Sequence, residues 1–154
     1  QWTKALAVMN LKGKSDILLI PGVLQLTYLE NTGAAFSFAA NQNGFQTVMT
    51  FVTPIVMALI LFFVIRSTFL TNKDRYKAMR VDLLFILAGA LGNYIDRVQN
   101  HYVVDFIYFS LINFPVFNVA DIYVTLSVIV LFILFIFYYK EDELSTFFSF
   151  RKAA

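Results

Sequence analysis

The chain has 154 residues, of which 59% are hydrophobic and only 14% are charged, whereas a soluble domain averages about 45–50% apolar and about 25% charged residues. A formal net charge of +2 excludes the strongly basic surface of a nucleic-acid-binding protein, and the absence of cysteine excludes disulfides and thiolate chemistry. The composition predicts a protein embedded in a membrane.

The chain starts with QWTKALAVMNLKGKSD, which lacks the charged and long apolar regions of a signal peptide. We interpret residues 1–10 as the outer remnant of a first spanning helix. In the next segment, 16–44, polar and apolar residues alternate between Pro21–Gly22 and Gly33, which is typical of a β-strand. We therefore expect a small extracytoplasmic β-sheet resting on the outer leaflet, with aromatic residues at the interface. The candidates for these are Trp2, Tyr28, Phe36 and Phe38.

Three apolar runs predict membrane spans over about 46–66, 79–98 and 117–139, because a helix needs roughly 20 residues to cross about 30 Å of hydrocarbon. The connection RSTFLTNKDRYKAMR, residues 66–80, carries five basic residues and one acidic residue. By the positive-inside rule it lies in the cytoplasm, so residues 97–116 lie outside. The predicted fold is mainly α, a single membrane-embedded domain over 1–154 with a small β-sheet.

Polar residues from four separate stretches fall at the outer ends of these spans under this topology. They are Asn31, Asn93, Asp96, Arg97, Asp105, Asn118 and Asp121. An ionisable residue inside a membrane costs at least about 2.5–3.5 kcal/mol on insertion scales, so it needs a partner, a water-filled cavity or a function. Asp82, near the cytoplasmic end of the second span, is expected to pair with basic residues of the 66–80 connection.

Asp105 and Asp121 have no basic residue between them in the sequence. Two carboxyls that are brought together cannot both ionise cheaply, so the pair holds one proton. Aspartic proteases use this arrangement to activate water and polarise the scissile carbonyl. The pair also fits a small transport or proton-relay protein, with carboxylates near the bilayer midplane, or a scaffold in which neither acid is needed. The single histidine, His101, excludes a His-rich metal site, and we expect no metal or other cofactor.

The phrases ENTGAAFSF, AGALGNYIDRV, VVDFI and FPVFNVAD, in this order, closely resemble the lipoprotein signal peptidase family, also called signal peptidase II. The resemblance covers nearly the whole chain, from QWTK to the last span. It implies an aspartic endopeptidase of four spans, the first largely missing here, that removes signal peptides from bacterial prolipoproteins. Cleavage precedes the diacylglyceryl-modified cysteine and uses no metal.

Position by position, the resemblance implies that Asp105 and Asp121 are the catalytic dyad and that Asp96 is structural. It also assigns a set of residues to the substrate and inhibitor pocket: Asn31, Asn93, Arg97 and Asn118. The implied partners are the prolipoprotein, membrane lipid and globomycin-type inhibitors. We expect a monomer in the bacterial cytoplasmic membrane with its active site at the extracytoplasmic face.

Overall fold

The computed structural model describes residues 1–33, 42–70 and 72–149, and for residues 42–46 the backbone alone. Phe36 and Phe38, predicted at the interface, lie outside the described residues. The helices in chain order are α1 (Trp2–Leu11), α2 (Gln42–Ser67), α3 (Lys77–Asn100), α4 (Val119–Ile133) and α5 (Glu141–Phe148). The strands are β1 (Ile17–Ile20), β2 (Leu24–Asn31) and β3 (Val103–Tyr108).

Among the described residues, three helices are long and apolar enough to cross a membrane, over Thr47–Ser67, Lys77–Asn100 and Val119–Tyr138. The last is α4 continued by a π-helical turn at Leu134–Tyr138. Large apolar side chains on the outer faces, such as Phe51 and Phe132, are mostly exposed, as expected where lipid rather than protein surrounds the helix. The predicted fold class, mainly helical and membrane-embedded with a small antiparallel sheet, is confirmed.

Helices α3 and α4 pack closely at two glycines of α3. A Cβ atom on Gly89 would lie 2.5 Å from the backbone oxygen of Ala120 and 2.7 Å from a methyl group of Val124. A Cβ atom on Gly92 would lie 3.3 Å from that of Ala120. Small residues allow helix backbones to pack closely in a membrane, and here they bring the start of α4 against the polar end of α3.

The sheet is antiparallel, with strand order β1-β2-β3. Pro21 and Gly22 form the turn between β1 and β2, and Gly22 takes the positive φ of +73° that this turn requires. The third strand of the sheet, β3, lies in a segment for which no secondary structure was predicted from the sequence. Leu26 pairs with Ile107 and Leu29 with Asp105, so β2 carries an extra residue opposite β3. Such bulges are common beside active sites, where they redirect side chains.

Two clusters of buried apolar residues hold the elements together. One joins α2, α3 and α5 through Val64, Met79, Leu83 and Phe147. The other joins α1 to β3. In it, Ala7 and Leu11 lie on one face of α1 and pack against Val104 and Phe106. Val119 also packs against this cluster, so the sheet is attached to the bundle at the start of α4.

The prediction that Asp82 pairs with basic residues of the 66–80 connection is wrong. Arg75 instead binds Glu143, and Arg80 donates to backbone oxygens of Ser67 and Lys73. Asp82 is buried, and its Oδ2 atom has no hydrogen-bond partner among the described residues. Arg75 and Arg80 thus bind α5 and backbone carbonyls in place of Asp82.

Candidate active site

A short antiparallel contact places Asp105 beside the start of α4. The Phe117 amide donates to the Ile107 carbonyl at 3.0 Å, and the Ile107 amide donates back to Phe117 at 2.8 Å. The link between them turns through a 3-10 turn at Ser110–Ile112. Asn113 then takes a left-handed conformation, and its side chain accepts a hydrogen bond from the Tyr108 hydroxyl at 2.6 Å. Two residues of one segment, Asn118 and Asp121, are thus brought next to β3.

Two side-chain amides hold the Asp105 carboxyl. The Asn31 Nδ2 donates to its Oδ2 at 2.7 Å, and the Asn118 Nδ2 donates to its Oδ1 at 2.6 Å. Asp105 is only 2% exposed. Asn31 reaches it because Asn31 pairs with Val103 in the sheet, two residues from Asp105. The bulge in β2 therefore sets the position of this donor.

Two further N–H groups hold the Asp121 carboxyl. The Asn93 Nδ2 donates to its Oδ1 at 2.7 Å, and the backbone amide of Asn118 donates to its Oδ2 at 2.9 Å. This second bond is half of a capping box, since the Asn118 side chain in turn accepts from the amides of Ala120 and Asp121. The Asn118-x-x-Asp121 sequence therefore both starts helix α4 as a capping box and places Asp121 in the candidate site. The cap fixes the orientation of Asp121 before any substrate arrives.

Asn118 connects the two carboxyls and is fully buried. Its Oδ1 caps α4, its backbone amide binds Asp121, and its Nδ2 donates both to Asp105 and to the Asn93 Oδ1 at 3.0 Å. An asparagine amide offers two donor hydrogens and an acceptor oxygen, and all of them are used here. No other residue type of this size can make the same set of bonds.

Burial raises the pKa of Asp105 to about 6, from its ordinary value of 3.8. The hydrogen bonds from Asn31 and Asn118 act in the opposite direction, and the charge of Asp121 raises the pKa further. Like those two hydrogen bonds, the positive charge of Lys4 lowers the pKa of Asp105. Desolvation therefore exceeds the effect of two neutral donors and a cation, and Asp105 exchanges its proton near neutral pH.

A buried lysine, Lys4, which was not among the predicted site residues, supports this network. The Lys4 Nζ lies 2.7 Å from the Asp96 Oδ2 and 2.8 Å from the Asn93 Oδ1. Both charged side chains are about 95% buried. Asp96 also accepts from the Val104 amide at 2.9 Å, so it ties α1, α3 and β3 together. The available signal was the basic residue in an otherwise apolar N-terminal helix.

A cavity of about 310 Å³ opens over the two carboxyls. Five of the predicted site residues line it: Asn31, Asn93, Arg97, Asp105 and Asp121. Apolar groups, including Phe114 and Phe117, form much of the remaining wall. The Nε atom of Arg97 is buried and has no hydrogen-bond partner in the described part of the chain. Asn118, the sixth predicted residue, lies behind the carboxyls. The structure therefore brings all six together, while their catalytic and binding roles stay predictions.

Comparison with known proteins identifies similar chains. The family model for signal peptidase (SPase) II matches residues 1–137. The lipoprotein signal peptidase of Streptococcus thermophilus (strain CNRZ 1066) is 39% identical over 143 residues, covering 93% of this chain and 86% of that protein. The lipoprotein signal peptidase of Enterococcus faecalis (strain ATCC 700802 / V583) is 41% identical over 133 residues, covering 86% and 78%.

A solved bacterial membrane enzyme, determined by the in meso method at 1.9 Å resolution, has the same fold. It has a TM-score of 0.71 at 30% identity, covering 90% of this chain and 86% of that chain. A second such structure, at 2.3 Å resolution, has a TM-score of 0.72 at 28% identity and covers 100% and 87%.

The membrane-spanning helices and the matched family together define a multi-pass bacterial membrane peptidase. The chain belongs to the signal peptidase II family. The resemblance expected from its four sequence phrases is confirmed.

Proposed function

We propose that the protein is an aspartic endopeptidase that removes the signal peptide from bacterial prolipoproteins, cutting before the diacylglyceryl-modified cysteine. The observation that carries the proposal is the pair of carboxyls, Asp105 and Asp121, each oriented by two N–H donors and both facing one cavity. The names of the relatives support the substrate class.

The two carboxyls take different roles in the proposed reaction. Asp105 carries the shared proton and donates it toward the scissile carbonyl oxygen, because burial raises its pKa to about 6. Asp121 removes a proton from water, whose oxygen attacks the carbonyl carbon. The tetrahedral intermediate then collapses: the proton on Asp121 passes to the amide nitrogen, the C–N bond breaks, and one hydroxyl of the intermediate returns its proton to Asp105. The products are the free amino group of the lipid-modified cysteine and the carboxyl end of the signal peptide.

The remaining cavity residues suit recognition of a peptide at the membrane surface. Arg97 lines the cavity, and its buried Nε has no hydrogen-bond partner among the described residues. Because leaving a buried donor unsatisfied is costly, a peptide carbonyl is the partner that we propose for this guanidinium. The apolar wall around Phe114 accommodates lipid-modified substrate. We propose that globomycin-type cyclic peptides occupy the same cavity, that the enzyme works as a monomer, and that the cavity faces the extracytoplasmic side.

Proton-relay or transport activity would place the acids near the bilayer midplane. Asp105 instead belongs to a strand outside the spanning helices, and Asp121 lies in the first turn of α4. This location favours chemistry at the membrane surface.

The test is cleavage of a diacylglyceryl-modified prolipoprotein peptide by the purified protein in detergent micelles. Asp105→Asn and Asp121→Asn are each expected to lower kcat by about 10²–10⁴-fold, the usual contribution of a general acid or base. Asp16→Asn is the matched control, because Asp16 is exposed, precedes β1 and is bonded among the described residues only to Gln25 of β2. Wild-type cleavage rates in either dyad variant would refute the aspartic mechanism.

A further inference from the structure

Helices α3 and α4 form a second groove, at the end away from the glycine contact. Its volume is about 390 Å³, and it shares no lining residue with the candidate active site. Apolar side chains such as Phe85 and Leu126 border it and are about half exposed. Because both helices are membrane spans, the groove opens toward lipid.

The floor of this apolar groove is polar. Asp82 from α3 and Ser127 from α4 line it, although only 6% and 5% of their surfaces are exposed. The Ser127 hydroxyl lies within hydrogen-bonding reach of the carboxyl, but the Asp82 Oδ2 has no partner among the described residues. Buried polar atoms are nearly always satisfied, and an ionisable residue within a membrane span marks a functional site by default.

A cation begins α3 immediately before Ala78, a lining residue of the groove. Lys77 is exposed and forms no salt bridge in the described part of the chain. It precedes Val81 by four residues, so the two lie on the same face of α3. Lys77 and Asp82 are five residues apart, which is about 7.5 Å along a helix. The headgroup layer of a bilayer is about 5–7 Å thick on each side, so the amine and the carboxyl reach the phosphate and the ester level of one lipid.

The length and the lining of the groove suit one lipid acyl chain. Residues 78–85 of α3 extend the lining over a rise of about 10 Å, and apart from Asp82, Tyr123 and Ser127 the lining side chains are apolar.

We propose that this groove binds an anionic glycerophospholipid of the leaflet that contacts the basic 66–80 connection. One acyl chain lies between Phe85 and Leu126, an ester carbonyl accepts a hydrogen bond from the protonated Oδ2 of Asp82, and the phosphate pairs with Lys77. The site is independent of the proposed peptidase reaction, and it gives a partner to the only buried carboxyl oxygen left without one in the described chain.

The test uses phosphatidylglycerol and phosphatidylcholine that carry the same photoactivatable acyl chain, added to the full-length protein in micelles. Crosslinked peptides are then mapped by mass spectrometry. We expect labelling of residues 78–85 and 123–130, with phosphatidylglycerol favoured about fivefold, because one Lys near a membrane surface contributes about 1 kcal/mol toward an anionic lipid. Equal labelling by the two lipids, or crosslinks only elsewhere, would overturn the site.

Variants separate the parts of the proposal. Lys77→Gln should abolish the preference for the anionic lipid, whereas Lys73→Gln, which removes the same charge from the same connection, should leave it intact. Asp82→Asn should retain labelling because a carboxamide also donates to an ester carbonyl, and Asp82→Leu should lose most of it. Equal effects of the two lysine variants, labelling that persists in Asp82→Leu, or crosslinks between protein copies in place of lipid labelling would each refute the proposal.

Discussion

Replacing Lys4 by methionine tests whether the buried Lys4–Asp96 pair supports the site. The substitution keeps the length of the side chain but removes the ammonium group, which lies 2.7 Å from Asp96 and 2.8 Å from Asn93. Asp96 then stays buried with a negative charge opposed only by the Val104 amide and the Gln1 side chain. Breaking one side of a buried ion pair costs about 3–5 kcal/mol. We expect the free energy of unfolding to fall by that amount.

The matched control is an ion pair of nearly the same length at the surface. Lys12 lies 2.8 Å from Glu30, but the two side chains are 52% and 40% exposed. Lys12→Met should cost no more than about 1 kcal/mol. Unfolding is followed by circular dichroism in mixed micelles with increasing denaturant. The double variant Lys4→Met/Asp96→Asn should recover much of the loss, because it removes the unpaired charge.

Enzyme kinetics provide a second readout of the same variant. The charge of Lys4 lowers the pKa of Asp105, so its removal should raise that pKa and move the basic limb of kcat/KM to higher pH. The reasoning about Lys4 fails if Lys4→Met is no less stable than Lys12→Met and has an unshifted pH profile.

Three other outcomes follow from the site and its scaffold. Because the proposed reaction needs a proton on Asp105, kcat/KM measured from pH 4.5 to 8 should fall about tenfold per unit above about pH 6. Because the folded state binds more protons than the unfolded state between pH 3.8 and about 6, the unfolding free energy should also fall as the pH rises through this range. A flat pH profile of kcat/KM or of the unfolding free energy would contradict the corresponding expectation. Gly89→Ala puts a methyl 2.5 Å from a backbone oxygen and should cost about 1–3 kcal/mol in thermal unfolding, more than Gly92→Ala. Asn118→Ala should cost about 0.5–2 kcal/mol through the lost cap alone, and it should lower kcat in the peptide-cleavage assay; an unchanged kcat would exclude Asn118 as a support of the dyad.

The helical part of the fold could be predicted from the sequence because its signals are local. Long apolar runs cannot be accommodated outside a membrane, and the π-helical extension of α4 lies within one such run. The period of two in residues 23–28 likewise predicted β2. The third strand, β3, was missed because four of its six residues are buried in succession. Without alternation, a short apolar run gives no strand period.

The predicted membrane topology was enough to group the site residues, but the hydrogen bonds between them could not be predicted from it. Depth in the membrane grouped Asn31, Asn93, Asp105 and Asp121, whereas the role of Asn118 depends on a bridge between Phe117 and Ile107 that no spacing rule predicts. Lys4 was missed because its partners are more than 80 residues away. The expected partners of Asp82 were wrong for the opposite reason. Basic residues close in sequence were counted as available, but carbonyls and Glu143 already bind Arg75 and Arg80.

The choice of neutral donors around the dyad has a chemical consequence. A cation in direct contact with a carboxylate strongly favours its ionised form, commonly lowering the pKa by 1–3, and would remove the proton that an aspartic dyad shares. Here amide N–H groups of Asn31 and Asn118 orient Asp105, and its pKa is still raised to about 6. The positive charge of Lys4 is separated from Asp105 by two side chains, Asn93 and Asn118. Orientation and charge are thus controlled by different residues, which suits the proposed reaction, in which both acids are held rigidly while Asp105 carries the proton.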